Sequence, residues 1–180
     1  LDNMYLYDRV FLLFNIRAKS KGESIQSNYI CNKCKSQSIQ NIKFSDFPFK
    51  EFKEPENKII KLTESGDGIE LDLIKRKNQR EALAKLTEDS TISIKQKYTL
   101  SLFYTLASSI KSYVFKDGTK ESELTIDDKI FMLDNLPDVY LDKIKKWQED
   151  NRFGYEIMIE YKCPHCGATD KHEFDFDTLM

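Results

Sequence analysis

Two short stretches decide how this chain folds: YICNKCKS at residues 29–36 and YKCPHCGA at residues 161–168. They hold all four cysteines, Cys31, Cys34, Cys163 and Cys166, as two Cys-x-x-Cys pairs, and the 128 residues from Lys35 to Lys162 contain none. Paired thiols at this spacing, in a chain without a basic-then-apolar secretion signal, point to metal rather than to structural disulfides. A thioredoxin-like redox site needs one pair at the start of a helix. Here Lys35 to Gln40 is polar and not helical, and Gly167 follows Cys166 as it does in zinc knuckles.

Strand-like runs bracket both pairs: NYIC and SIQNIKF around the first, YEIMIEYKC and KHEFDFD around the second. Two such knuckles supply four thiolates to one tetrahedral ion, which closes the coordination sphere and makes the site structural. The expectation is one zinc per chain held by Cys31, Cys34, Cys163 and Cys166. In a compact ribbon the two pairs lie ~15–20 residues apart, so this ribbon is split by a long insertion. With four thiolates present, His165 and His172 are expected to be an exposed knuckle residue and a strand residue, not ligands.

The opening helix is read from Met4, Tyr7, Val10, Phe11, Leu13 and Phe14, at mostly three- and four-residue intervals, and is expected to be largely buried. Asp2 or Asn3 would cap it, and Lys19, Lys21 and Gly22 mark its end. After the first knuckle, Ile39, Ile42 and Phe44 are candidate inward residues. KIIKL and IELDLI, on either side of TESGDG, form an antiparallel β-hairpin with Ile69, Leu71 and Leu73 on one face. A helix is expected from about Glu81, then another through SIKQKYTLSLFYTLASSIKSYVF with Tyr98, Leu102, Leu106 and Ile110 in line. Thr125 and Asp128 form a capping box for the next helix, with Asp127 and Asp128 as its first-turn acids. Pro137 opens the last one, Gly154 stops it, and Val139, Ile144 and Trp147 face the core. In the closing strands Tyr155, Ile157, Ile159 and Tyr161, then Phe174 and Phe176, point inward. Glu156, Met158, Glu160, Glu173, Asp175 and Asp177 point outward.

The 180 residues carry 28 basic and 30 acidic side chains, a formal net charge of −2. That balance argues against a globally basic nucleic-acid binder. The local exception is KRKNQR, where Lys75, Arg76, Lys77 and Arg80 could form a phosphate patch, the alternative reading being a solvated turn leading into a helix. Against nucleic acid, Asp170, Glu173, Asp175 and Asp177 face only Lys171 in the stretch after the second knuckle. No run approaches the ~20 apolar residues of a membrane span. Two histidines, and no Gly-rich phosphate loop, Gly-x-Ser-x-Gly or His-Glu-x-x-His, argue against an enzyme.

The order of features, helix, knuckle, hairpin, helices, knuckle, resembles the T4-type bacteriophage baseplate protein family, the hub-assembly proteins. YDRVFLLFNIRAKSKGE at residues 7–23 carries the resemblance best: Arg17, Ser20 and Gly22 fall on the family's Leu-Arg-x-x-Ser-x-Gly turn, with Ile16 in place of the leucine. The resemblance covers nearly the whole chain. It departs at the ends, where the family's additional N-terminal segment and closing phenylalanine pair are missing, and a start at Leu1 reads as a fragment, a processed product or an incompletely ordered N-terminus. It implies a non-enzymatic hub subunit or assembly chaperone that binds other tail proteins, with self-association open. Its place would be the infected host's cytoplasm during assembly, or the virion baseplate.

The expected architecture is one α+β domain over residues 1–180. Residues 1–48 give a helix and the first half of a split four-cysteine zinc ribbon, 49–80 a β-hairpin, 81–153 a helical insertion and 154–180 the second half of the ribbon.

Overall fold

The computed structural model of the chain describes residues 2–62, 66–88, 94–156 and 158–173. In chain order the elements begin with helix α1 (Leu6–Lys21), then strands β1 (Ser24–Ile30) and β2 (Gln37–Lys43), a 3-10 turn at Phe44–Asp46, and β3 (Phe49–Lys50). Next come β4 (Ile59–Lys61), β5 (Gly68–Leu71), α2 (Arg76–Glu88) and α3 (Ile94–Ser109). Then follow β6 (Ile110–Val114), β7 (Lys120–Glu121), α4 (Ile126–Asp134) and α5 (Asp138–Asp150). The chain closes with β8 (Gly154–Tyr155), β9 (Met158–Lys162) and β10 (Thr169–Glu173). It is mixed α+β, every strand pair is antiparallel, and five α-helices lie among the described residues. They divide into two compact units, Leu1–Leu6 with Lys53–Arg152 and Tyr7–Phe52 with Phe153–Met180.

The first unit carries a four-stranded sheet of order β4-β5-β6-β7. The expected hairpin is there, with Ile60 opposite Ile69, and Ile69, Leu71 and Leu73 are all buried. The segment expected as a mostly helical insertion also supplies two strands of this sheet, β6 and β7. Helix α3 does not run on through IKSYVF but ends at Ser109, so Ile110 sits in β6. Two forces act at that point. Ser108 and Ser109 turn their hydroxyls onto the carbonyls of Tyr104 and Leu106, a local bond that weakens a helix interior. Beyond them Ile110, Ser112 and Val114 alternate as buried positions, the period of a strand. Leu106 is buried as expected, whereas Leu102 is exposed; the Tyr98 side chain lies outside the described residues.

Helix α2 starts at Arg76, earlier than the pattern from Glu81 suggested. Its first orphan donors are met from the chain's beginning: the N–H of Arg76 donates to the Met4 carbonyl (2.9 Å) and that of Lys77 to the Asp2 carbonyl (3.0 Å). Asp2 thus closes α2 instead of capping α1. The Thr125–Asp128 capping box forms as expected on α4. Pro137 precedes α5, which ends at Asp150, short of Gly154. Ile144 and Trp147 are buried and Val139 is exposed. The Trp147 indole N–H donates to the Asn57 carbonyl.

The second unit is discontinuous in sequence. Its core gathers Phe14, Ile25, Tyr29, Ile42, Phe44, Phe47, Ile159 and Tyr161 around Cys31 and Cys163. Helix α1 is not largely buried: of its residues Phe14 alone is fully so, with Val10 and Ala18 one turn either side packed partly against the core. Phe11 and Ile16 remain 40% and 61% exposed, since one helix presents one stripe to one core. Gly22 ends α1 through an N–H bond to the Ala18 carbonyl. Phe14 packs edge-on to Phe47 and flat on Tyr155, with centroids 5.0 and 4.6 Å apart. Ile42 and Phe44 point inward, but Ile39, opposite Asn28, is exposed. In β9, Ile159 and Tyr161 are in while Met158 and Glu160 are out. The expectations for Ile157 and for residues 174–180, and for the side chains of His172 and Glu173, lie outside the described residues.

Glu70 on β5 shows how the sheet of the first unit handles a buried charge. Its carboxylate accepts from Lys111 Nζ (2.9 Å), Lys120 Nζ (2.9 Å) and the Ser112 hydroxyl (2.8 Å). Burial pushes its pKa up, and the two lysines and the serine outweigh that, bringing it down to about 2. A carboxyl depressed in the folded state stabilises fully above its unfolded pKa of about 4.3, and this contribution fades as pH falls toward the folded value. We expect Glu70→Gln to cost about 2 kcal/mol at pH 7, a figure reduced because both ammonium groups remain half in solvent. The variant should also lose part of the acid-side slope between about pH 4.3 and 2. Urea unfolding at several pH values checks both; an unchanged slope would remove the ion cluster from the account.

Candidate metal centre

The two cysteine pairs sit in the turns of two antiparallel hairpins. Ile30 pairs with Gln37 at the end of β1–β2, and Lys162 with Thr169 at the end of β9–β10, so each turn spans six residues. Both turns are held by the same bonds. Cys31 N–H donates to the Ser36 carbonyl (3.0 Å) and Lys35 N–H to the Cys31 carbonyl (2.9 Å). Cys163 N–H donates to the Ala168 carbonyl (2.8 Å) and Gly167 N–H to the Cys163 carbonyl (2.9 Å). The residue after the second cysteine is left-handed in each, Lys35 at φ 58° and Gly167 at φ 70°. This conformation turns the chain back so that both thiols of a pair point the same way.

Two residues before each first cysteine stands a tyrosine, and these two, Tyr29 and Tyr161, stack with centroids 5.0 Å apart. The stack sets one hairpin against the other, and the sulfurs meet. Cys31 Sγ lies 3.7 Å from Cys166 Sγ, and Cys34 Sγ lies 3.7 Å from Cys163 Sγ. All four sulfurs fall within 4.8 Å of one another. A tetrahedral ion with Zn–S of about 2.3 Å requires sulfurs about 3.8 Å apart along each edge, so the donor set fits in kind, number and size. Cys31 and Cys163 are buried while Cys34 and Cys166 are exposed.

The surroundings tune the thiols. Ser36 Oγ lies 2.9 Å from Cys34 Sγ and 3.6 Å from Cys163 Sγ. Its hydrogen bond is the main reason that Cys34 sits below the usual thiol range and that Cys163 falls to about 6. The Ala168 N–H pulls Cys166 down, but burial and hydrogen bonds to the three other thiols push it up to about 11. A cluster of this kind ionises in steps; a divalent cation is the charge that lets all four ionise together. Across the hairpins the Asn32 amide donates to the Asp170 carboxylate.

His165 is exposed and outside the sulfur cluster. Of the four cations of the basic run, two are engaged in ion pairs: Lys75 with Asp72 at 2.8 Å and Arg80 with Asp2 at 3.1 Å. Ser36, Asn32 and the tyrosine pair were not singled out from the sequence. The signal for the tyrosines is the repeat Tyr-x-Cys-x-x-Cys at 29–34 and 161–166; Ser36 and Asn32 carry no such signal.

The family model of the T4 bacteriophage base plate protein matches residues 1–179 of the chain. The chain belongs to that family. Its role is accordingly that of a phage base plate structural protein. No curated protein and no solved structure matches the chain. Among the described residues no helix is long and apolar enough to cross a membrane.

The paired turns give a backbone prediction. A left-handed non-glycine residue costs about 1 kcal/mol, and a Cβ at Gly167 would touch nothing. Gly167→Ala should therefore destabilise by about 1 kcal/mol. Lys35→Gly should do the reverse by a few tenths, the relief being partly offset by the greater freedom of glycine in the unfolded chain. Urea unfolding of both variants tests it; a loss of stability in Lys35→Gly would show the two turns to be inequivalent.

Proposed function

We propose that this base plate family member works as a non-enzymatic hub subunit or hub-assembly chaperone, bound to other tail proteins and held in shape by one structural zinc on Cys31, Cys34, Cys163 and Cys166. What carries the reading is the convergence of four sulfurs from two identically bonded turns, whose cysteines Cys34 and Cys163 are 129 positions apart. Such a set leaves no coordination position for water or substrate, so its work is cohesion and not catalysis. The base plate family supplies the class of partner. Assembly in the host cytoplasm follows from the same reading, with the base plate of the virion as destination.

The magnitudes favour a metal over thiols alone. Closing a flexible loop of about 128 residues costs roughly 4 kcal/mol beyond a constant. Zinc on four thiolates contributes on the order of 10 kcal/mol at neutral pH, more than enough to offset it. Two stacked tyrosines contribute about 1 kcal/mol beyond their buried area.

Native mass spectrometry of the full chain should give one zinc per chain, released on denaturation. Cys163→Ser should lower metal content and unfolding temperature together, and chelation of the wild type should mimic it. Lowering the pH should release the metal as the thiolates take up protons. A metal-free Cys163→Ser protein as stable as the wild type would overturn the zinc reading, while leaving membership of the family untouched.

A further inference from the structure

The unit formed by Leu1–Leu6 and Lys53–Arg152 contains a cleft of about 850 Å³ that neither the cysteine centre nor the sheet explains. Its walls come from α2, the α3–β6 junction and α4. Five cations line it, Lys75, Lys77, Arg80, Lys111 and Lys129, against the two carboxylates Asp72 and Glu81. Three of the five are engaged: Lys75 with Asp72, Arg80 with Asp2, and Lys111 with Glu70.

Lys77 and Lys129 are different. Among the described residues neither ammonium has a carboxylate in ion-pair contact. Lys129 is half-buried in α4, and burial holds it below the usual lysine range. Glu81 counters that, whereas Lys77 adds to it by charge repulsion. Two ammonium groups close enough to repel, one of them partly removed from water, are an arrangement that an incoming anion relieves. The remaining lining is mixed: Asn78, Ser108 and Ser122 are polar, and Leu73, Ala84, Ile110 and Leu124 are apolar.

We propose that this cleft is the docking site for an acidic peptide segment of a partner protein, whose carboxylates pair with Lys77 and Lys129. The proposal rests on the reading of the chain as a protein that acts through protein contacts, and not on zinc. Charge complementarity selects the occupant, and the wall carboxylates favour peptide over nucleic acid. A cleft of about 850 Å³ has room for a short peptide segment. The Asp72 and Glu81 carboxylates on the wall would repel a continuous phosphodiester chain, while a peptide can set backbone N–H groups against them. Apolar side chains between the acidic ones would find Leu73 and Leu124.

The test uses the full chain loaded with zinc and a fluorescein-labelled peptide of alternating glutamate and leucine, with anisotropy as the readout. Binding should be saturable and should weaken as salt rises. Lys77→Glu, on the exposed face of α2, should weaken it at least tenfold, and Lys77→Glu with Lys129→Glu should abolish it. Lys53→Glu with Lys116→Glu, an equal change of charge away from the cleft, should leave it within twofold. Because Lys129 is half-buried, the single Lys77→Glu variant decides if the double variant does not fold. Equal loss in the control pair would reduce the effect to net charge and overturn the proposal, as would no binding at low salt. A labelled single-stranded oligonucleotide that binds more tightly than the peptide, and is lost with Lys77→Glu, would overturn it in favour of nucleic acid. None of these outcomes bears on metal content or on the stability of Cys163→Ser, so failure here is distinguishable from failure of the zinc reading.

Discussion

The unit built from Tyr7–Phe52 and Phe153–Met180 depends on two hairpins, one from each part of the chain, being held in register with each other. Four thiols and a pair of tyrosines do this at one end. Tyr29 on Tyr161 orients the hairpins, and the sulfurs 3.7 Å apart close them. The core behind them is aromatic and well packed around Phe14, each buried side chain contributing about 1.5–3 kcal/mol. That sum is set against the entropy of ordering both segments, and a small two-hairpin unit has little to spare. The proposed ion on the four thiolates would change this balance more than any single packing contact could.

The same arrangement explains how the chain tolerates an interruption of 100 residues. It leaves this unit at Phe52 and returns at Phe153, and those two rings pack edge-on with centroids 5.0 Å apart. Exit and return are neighbours, so the residues between them can fold as a unit of their own without pulling the hairpins apart. Glu70 and its lysines stabilise that intervening unit by a separate means, a charge cluster sensitive to acid. The proposed metal on the thiol cluster would be sensitive to acid as well, through competition of protons with the ion. Acid would then act on both units by unrelated chemistry.

The base plate family membership gives this division a purpose. One unit is proposed to be fastened by a structural metal centre; the other carries a cleft lined by Lys77 and Lys129, neither of which has a carboxylate in ion-pair contact among the described residues. A structural protein in a large assembly needs a surface that selects its neighbour, and the proposed carboxylate recognition at this cleft would add specificity as well as attraction.

What the sequence determined by itself was local. The Cys-x-x-Cys turns, the hairpin of KIIKL and IELDLI, the Thr125–Asp128 cap and the alternation of Ile159 and Tyr161 with Met158 and Glu160 all rest on neighbours a few residues away, and such patterns are written in the chain. The grouping of Cys31 and Cys34 with Cys163 and Cys166 was legible only because cysteine chemistry leaves few alternatives. Tertiary structure decided the rest. It ended α3 at Ser109, because IKSYV is worth more as a partner of β5 than as a further helical turn. It left half of the residues of α1 exposed, and it drew Lys75 and Arg80 into ion pairs with Asp72 and Asp2. Each of those outcomes hangs on a residue far off in sequence or on which face a core can reach. Periodicity reports which residues could be buried, and only packing settles which are.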